Sequence, residues 1–429
     1  MSSSSLTPEA GRRAFARTED ARLKGEANPS AMRELRRRKR NSFVLVVPLL
    51  IFLVVTFFAP IASMLYRSVY NPTTAELIPT TLAELNTWAP GTEVPPEIFT
   101  TFALELKGLT ANRREGILAA NVNQVYPGAS SLIKIAGRRL RKLDDAAIRE
   151  KGGQAILLDA NPDWARTQVW SAIREAGRVY TDRNYLKALG FERVDGHIQR
   201  GETAQIYIEL YGKTLGIALA ITVLCIVLGY PLAYYLATAP SRVSNALMVL
   251  VLLPFWTSLL VRTTSWIALL QADGVINSVL LGLGIVDQPV EMLYTRFATI
   301  VAMTHILIPF MILPLYSVMR GIDPSYVRAA LSMGSSPFSA FRRVFLPLTL
   351  PGLSAGTLLV FIVSVGYYIT PALVGGSDGQ MISNIIAFNI QRANNWGLAA
   401  ALGSLLLALI LLLYWVYDRL VGADNIKLG

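Results

Sequence analysis

GIDPSYVRAALSMGSSPFSAFRRVFLPLTLPG, residues 321–352, lies between two long apolar runs and carries its own start and stop signals. Asp323 and Pro324 suit a helix start, the first as cap and the second in the first turn. Tyr326 to Met333 then supplies two helical turns. Gly334, Ser335, Ser336 and Pro337 break that helix, and Phe338 to Phe345 begins a second one that Pro347 is expected to stop. The reading is a helix–turn–helix lying along a membrane surface. An ordinary amphipathic surface helix would share much of this pattern, so the surroundings decide.

Those surroundings are hydrophobic. The chain has 429 residues, of which 53% are hydrophobic, far above what a soluble domain needs. About twenty apolar residues cross a bilayer as a helix, and six segments reach that length: roughly 43–66, 214–237, 246–269, 298–319, 351–373 and 397–418. The first run follows a long polar leader and can span, so it is expected to remain as an anchor rather than be removed as a signal peptide.

The formal net charge of +11 could suggest nucleic acid, but the basic residues flank apolar spans. They read as a topology signal. Residues 1–41 end in Arg36, Arg37, Arg38, Lys39 and Arg40, a cluster that belongs on the cytoplasmic side. Six crossings then place both termini inside, together with Arg242, the basic 320–343 connection, Arg419 and Lys427. The stretches near 271–296 and 374–396, poorer in Lys and Arg, fall outside.

Residues 71–205 hold 17 Lys/Arg and 16 Asp/Glu and no candidate span. Long loops translocate largely regardless of charge, so this insertion is expected to be extracytoplasmic. Apolar residues at three- and four-residue spacing over 129–152 and 164–189 predict amphipathic helices in a small, mainly helical domain, punctuated by Pro79, Pro90, Pro95, Pro96 and Pro127. The expected fold is therefore an all-α integral membrane protein. It divides into a basic tail (1–41), a first transmembrane helix (42–70), the insertion (71–205), a five-helix core (206–420) containing the 321–349 loop, and a cytoplasmic C-terminus (421–429).

The loop resembles the coupling loop of permease subunits in ATP-binding-cassette importers: two alanines, a glycine four residues on, a phenylalanine seven further, and a closing Leu-Pro. Here these are Ala329, Ala330, Gly334, Phe341, Leu346 and Pro347. The resemblance implies the six-helix fold of the smaller importers. It also implies an ATPase dimer that grips the loop, a second and different permease chain, a periplasmic binding protein and an inner-membrane location. On that reading small alanines let the short helix enter a groove on the ATPase, the glycine permits the turn, and the aromatic anchors the unit. ATP with Mg²⁺ would bind the partner ATPase, leaving this chain without a cofactor. One position departs from the family: Arg328 stands where glutamate is usual.

Three further stretches resemble the spermidine/putrescine branch: TLGIALAITVLCIVLGYPLAYYLA (214–237), LLPFWTSLLVRTTSWIALLQADGVIN (252–277) and ITPALVGG (369–376). The branch implies import of a polyamine such as spermidine or putrescine, with opines, other amines and organophosphonates as alternatives. The long 71–205 insertion is not usual in it.

Polar and aromatic groups within spans are the candidates for a substrate path: Trp256, Thr263, Trp266, Asp273, Tyr367, Tyr368 and Thr370, beside Arg262, Thr264 and Gln271. Asp273 and the aromatics suit a cationic substrate through ion pairing and cation–π contact; Arg262 does not. Snorkelling and interfacial aromatic belts would explain the same residues structurally.

Enzymatic chemistry has little to stand on. The chain has two histidines, His197 and His305, and one cysteine, Cys225, with no spacing for metal ligands or a nucleophile–base pair. Gly212-Lys213-Thr214 resembles the end of a phosphate-binding loop, but Tyr207 stands where the earlier glycine is required. An ion-coupled secondary transporter would carry more spans, repeats and intramembrane acids. A membrane-anchored scaffold would place its function in the insertion.

Overall fold

The computed structural model describes residues 43, 46–194, 197–201 and 205–421. The expectations for 1–41 and 422–429 lie outside them. The chain divides into two units, Met1–Ser63 and Met64–Gly429. Among the described residues six helical stretches are long and apolar enough to span a membrane.

The first is α1, Val46–Val69, with a π turn over Val54–Phe58. Phe52, Val55, Phe57 and Phe58 are exposed along it, as suits side chains whose solvent is lipid.

Residues 73–188 form ten short helices: α2 Thr73–Leu77, α3 Pro79–Thr87, α4 Pro96–Ala111, α5 Glu115–Asn123, α6 Ala129–Leu140, α7 Asp145–Lys151, α8 Gly153–Ala160, a 3₁₀ turn Pro162–Ala165, α9 Thr167–Ala176 and α10 Arg183–Ala188. Pro79 and Pro96 begin helices, where a missing N–H costs nothing. The apolar periodicity converges on a core in which Trp164, Trp170 and Phe102 are fully buried. Trp170 stands edge-on to Phe99 at 4.5 Å and donates its indole N–H to the Trp164 carbonyl at 3.0 Å. A hairpin of β1 Phe191–Val194 and β2 His197–Arg200, pairing Phe191 with Arg200, adds sheet that the helical expectation lacked. Four-residue strands give too little alternation to show in sequence.

Asn184 and Tyr185 tie this region to the membrane helices. Asn184 donates to the Ser68 carbonyl at 2.9 Å, and the Tyr185 hydroxyl meets Ser68 at 2.9 Å and Ser404 at 3.0 Å.

The membrane core is built on α11 Gln205–Thr238, α15 Arg296–Gly321 and α18 Leu346–Gly366. Their approach is close because side chains are missing where they cross. A Cβ on Gly356 would stand 2.8 Å from Met311 Sδ, one on Gly352 2.9 Å from the Pro314 carbonyl, and one on Gly229 3.1 Å from Met311 Cγ. Lipid tails are as apolar as leucine, so close backbone approach replaces the hydrophobic drive. Gly352 and Gly356 stand one turn apart, a spacing legible in the sequence.

Three expected helix boundaries move. The span expected over 246–269 is instead α12 Ser241–Trp256 and α13 Leu259–Leu270, and the run long enough to cross is Leu259–Gly282, comprising α13 and α14 Val275–Gly282. The break has a local cause: Pro254 offers no amide donor, and Ser258 Oγ accepts the Val261 N–H at 3.2 Å to start the next helix. Pro347 does not stop the second loop helix. A π turn over Phe341–Phe345, in which the Leu346 N–H reaches the Phe341 carbonyl, joins α17 Pro337–Ala340 to α18, and Pro347 follows directly where the i→i−4 ladder is already interrupted. The span expected over 351–373 ends at Gly366, and α19 Ile369–Val374 resumes after Tyr367 and Tyr368. The remaining helices are α16 Ser325–Ser332, α20 Ile382–Gln391 and α21 Trp396–Val421.

Candidate functional site: a surface hairpin and a polar cluster between helices

The 321–349 segment folds as helix, tight turn, helix. Asp323 Oδ1 accepts the Ser325 N–H at 2.8 Å, capping α16. That hydrogen bond holds the carboxyl below its ordinary value, with a smaller contribution from the Arg328 charge. At the other end Ser335 N–H reaches the Ala330 carbonyl at 3.1 Å and Gly334 N–H the Leu331 carbonyl at 3.0 Å. This paired closure needs a left-handed residue, and Gly334 has φ +89°. No atom lies within 4 Å of where its Cβ would be, so backbone conformation alone selects glycine. Ser336 then caps α17 through the Ser339 N–H, with Pro337 in the first turn.

The two alanines face opposite ways. Ala330 is buried, whereas Ala329 is exposed with Tyr326, Arg328, Leu331 and Met333. Phe341 turns into the core, edge-on to Tyr230 at 6.2 Å and Tyr234 at 5.9 Å and stacked on Phe345 at 5.9 Å. Tyr230 also hydrogen-bonds Thr349 at 3.0 Å. The hairpin is therefore fastened to α11 and α18 by aromatics. Its free face carries Phe338 and Met333, rimmed by Arg328, Arg342 and Arg343. Leu346 is half-buried and Pro347 exposed at the base.

The path candidates divide into groups. Thr263 and Thr370 are buried and their hydroxyls lie 3.3 Å apart, joining α13 to α19. Trp266 donates to His305 Nδ1 at 3.1 Å. Tyr367 and Tyr368 occupy the break after α18. Ser383 Oγ donates to the Tyr367 carbonyl at 2.5 Å and Asn384 Nδ2 to the Tyr368 carbonyl at 2.7 Å, so the freed acceptors are satisfied from α20. Tyr368 lines a cavity of ≈310 Å³ with Gln380, Asn384, Phe388, Gln391 and Arg392. Trp256 and Asp273 stand apart from both groups and are exposed.

Two features escaped sequence reading. Asp378 pairs with Arg296 at 2.9 Å and faces Lys213 at 3.9 Å, bringing α11, α15 and the 375–381 turn together. The Arg296 hydrogen bond holds the Asp378 carboxyl below its ordinary value. Asn277 clasps the loop after α14 by accepting the Val290 N–H at 2.9 Å and donating to the Val290 carbonyl at 3.0 Å. Neither pairing has a fixed sequence spacing.

Six apolar helical stretches and a capped hairpin fastened to the bundle define a multi-pass membrane protein. Residues 226–422 match the family described as binding-protein-dependent transport system inner membrane component. Over 220 residues the chain is 36% identical to the spermidine/putrescine transport system permease protein PotB of Escherichia coli (strain K12), covering 51% of this chain and 80% of that one. It is 32% identical over 228 residues to the E. coli inner membrane ABC transporter permease protein YdcU, covering 49% and 71%. A bacterial alginate ABC transporter, solved in complex with alginate pentasaccharide-bound periplasmic protein, superposes with TM-score 0.46 and 19% identity over 52% of this chain and 80% of that one. The chain belongs to the binding-protein-dependent permease family: it is the inner-membrane permease component of an ABC importer, a transport subunit rather than an enzyme.

Proposed function

We propose that this permease imports a polyamine of the spermidine/putrescine class. The observation that carries the reading is the 36% identity to PotB across 80% of that protein's length. A periplasmic binding protein delivers the cargo, a second and different permease chain completes the path, and an ATPase dimer holding ATP and Mg²⁺ grips the 321–349 hairpin. Both termini lie in the cytoplasm and residues 71–205 in the periplasm. The basic rim of the hairpin supports that orientation, since positive charge collects on the inner side.

In this scheme Asp323, Pro324, Arg328, Ala329, Ala330, Gly334, Phe341, Leu346 and Pro347 form the coupling element. The caps and the aromatic fastening make it rigid, so that movement of an ATPase groove is passed to α11 and α18 instead of being absorbed locally. Arg328, exposed on the free face, calls for an acidic counterpart on the ATPase. Trp256, Thr263, Trp266, Asp273, Tyr367, Tyr368 and Thr370 are proposed to contact cargo along the path.

Uptake of labelled spermidine, putrescine, opines, other amines and organophosphonates into proteoliposomes holding the full complex, with and without internal ATP, tests the function. ATP-dependent accumulation of a polyamine supports it. Accumulation of a different compound removes the cargo assignment, and accumulation indifferent to ATP removes the ATPase partner.

A further inference from the structure

α13 and α15 bring nitrogen donors together on an otherwise apolar face. Arg262 is half-buried, and its Nε is sealed from solvent without a hydrogen-bond partner. Trp266, one turn on, donates to His305 Nδ1, which places the ring proton on Nε2 and leaves that N–H available on an exposed imidazole. The guanidinium lies within electrostatic reach of both His305 and Tyr367. Leu260 and Val261, next to Arg262 on α13, are exposed.

Among the described residues Arg262 Nε and His305 Nε2 have no acceptor. Residues 205–421 contain seven carboxylates, Glu209, Asp273, Asp287, Glu291, Asp323, Asp378 and Asp418, all near helix ends or between helices. Among the described residues none pairs with Arg262. Asp273 is nearest in sequence, but it lies past the end of α13, which itself runs about 12 Å on from Arg262 at 1.5 Å per residue. His305 lies about 14 Å from the Arg296 end of α15 and about 24 Å from the Gly321 end, so the cluster sits at hydrocarbon depth, away from lipid phosphates. An unpaired arginine at that depth is costly and calls for a counter-charge.

We propose that Arg262 and His305 receive a carboxylate from a membrane helix of the second permease subunit, so that the pair of permeases is locked by an intramembrane ion pair. The assignment rests on the proposed function in one respect: a polyamine cargo is cationic and is repelled by a guanidinium, which leaves protein as the source of the anion. The exposed apolar rim fits burial against a partner helix that excludes water and strengthens the pair.

The test uses the complete complex. Arg262→Glu is expected to lower recovery of the co-purified permease pair at least about thirtyfold, because it removes the cation and sets two acids against each other. Reversing one intramembrane Asp or Glu of the second permease to Arg is expected to restore recovery. With Cys225→Ser, Arg262→Cys is expected to form a disulfide with cysteine placed at that same acid. Unchanged recovery and thermal stability in Arg262→Glu and Arg262→Gln overturn the proposal, as does failure of every charge reversal to rescue. Intact assembly with a raised KM for a carboxylate-bearing compound assigns the site to cargo instead. A complex of two copies of this chain also overturns it, because the described residues hold no acid at that depth. Recovery is measured without substrate, so charge-swap rescue in a complex that imports no polyamine removes the cargo assignment alone.

Discussion

The insertion and the membrane core solve the same packing problem in opposite ways. Between Pro96 and Ala176 large side chains meet: Phe99, Phe102, Trp164 and Trp170 fill a core from which water is expelled. Where α11, α15 and α18 cross, the contact is made by what is missing, with Gly229, Gly352 and Gly356 admitting Met311 and the Pro314 carbonyl. Water makes burial of a tryptophan favourable, whereas lipid is indifferent to it, so helices in lipid associate through close contact and hydrogen bonds. One chain thus carries two packing codes because its parts face two solvents.

The largest expected effect that sharpens this comparison is Trp164→Ala, which empties a fully buried site and should cost about 3–5 kcal/mol. Amide hydrogen exchange over 96–176 should accelerate while exchange in α15 stays as before; equal acceleration in both regions would mean they share one core. Next comes Gly356→Leu, which drives a side chain into Met311 and should cost about 1–3 kcal/mol as overpacking, read as a lower thermal midpoint of the purified permease in detergent. An unchanged midpoint would show that close approach at this crossing is dispensable. Gly334→Ala tests backbone conformation, because open space surrounds the position and only φ +89° opposes the methyl. About 1–2 kcal/mol is expected from the left-handed geometry. Coupled ATP hydrolysis should fall while membrane insertion is unaffected, and Gly334→Asn should be milder.

The smallest effect is the pH response of Asp378. Its folded value is depressed, so its stabilising contribution is present above the ordinary carboxylate value near 4 and is lost as pH falls through the lower folded value. Thermal midpoints at pH 5 and pH 3 should differ less in Asp378→Asn than in the native chain, and only slightly, because the pair with Arg296 is exposed to solvent.

The hairpin was legible because every part of it is local. Asp323 caps, Gly334 turns and Ser336 restarts within a few residues, and each announces itself by residue type. Its fastening was legible only in part: Phe341 was expected to anchor, but Tyr230 and Tyr234, over a hundred residues earlier, complete the contact. The breaks at Thr257 and Tyr367 were hidden within apolar runs, since hydropathy measures affinity for lipid and not continuity of the helical ladder. Ser258 could have signalled the first break through its capping chemistry; the second depends on Ser383 and Asn384 to satisfy the freed carbonyls, a pairing that no spacing announces.

Length and hydropathy alone determined that six stretches among the described residues are long and apolar enough to cross a membrane, because transfer free energy adds along a segment without reference to neighbours. The same local additivity determined the caps and turn of the 321–349 hairpin. Tertiary structure decided that Ala330 is buried and Ala329 exposed, that a π turn before Pro347 carries the helix on, and that among the described residues Arg262 and His305 have no carboxylate partner. Those outcomes are set by contacts between segments far apart in sequence, and whether a proline ends a helix or an arginine finds a partner depends on what the rest of the fold brings within a few ångströms.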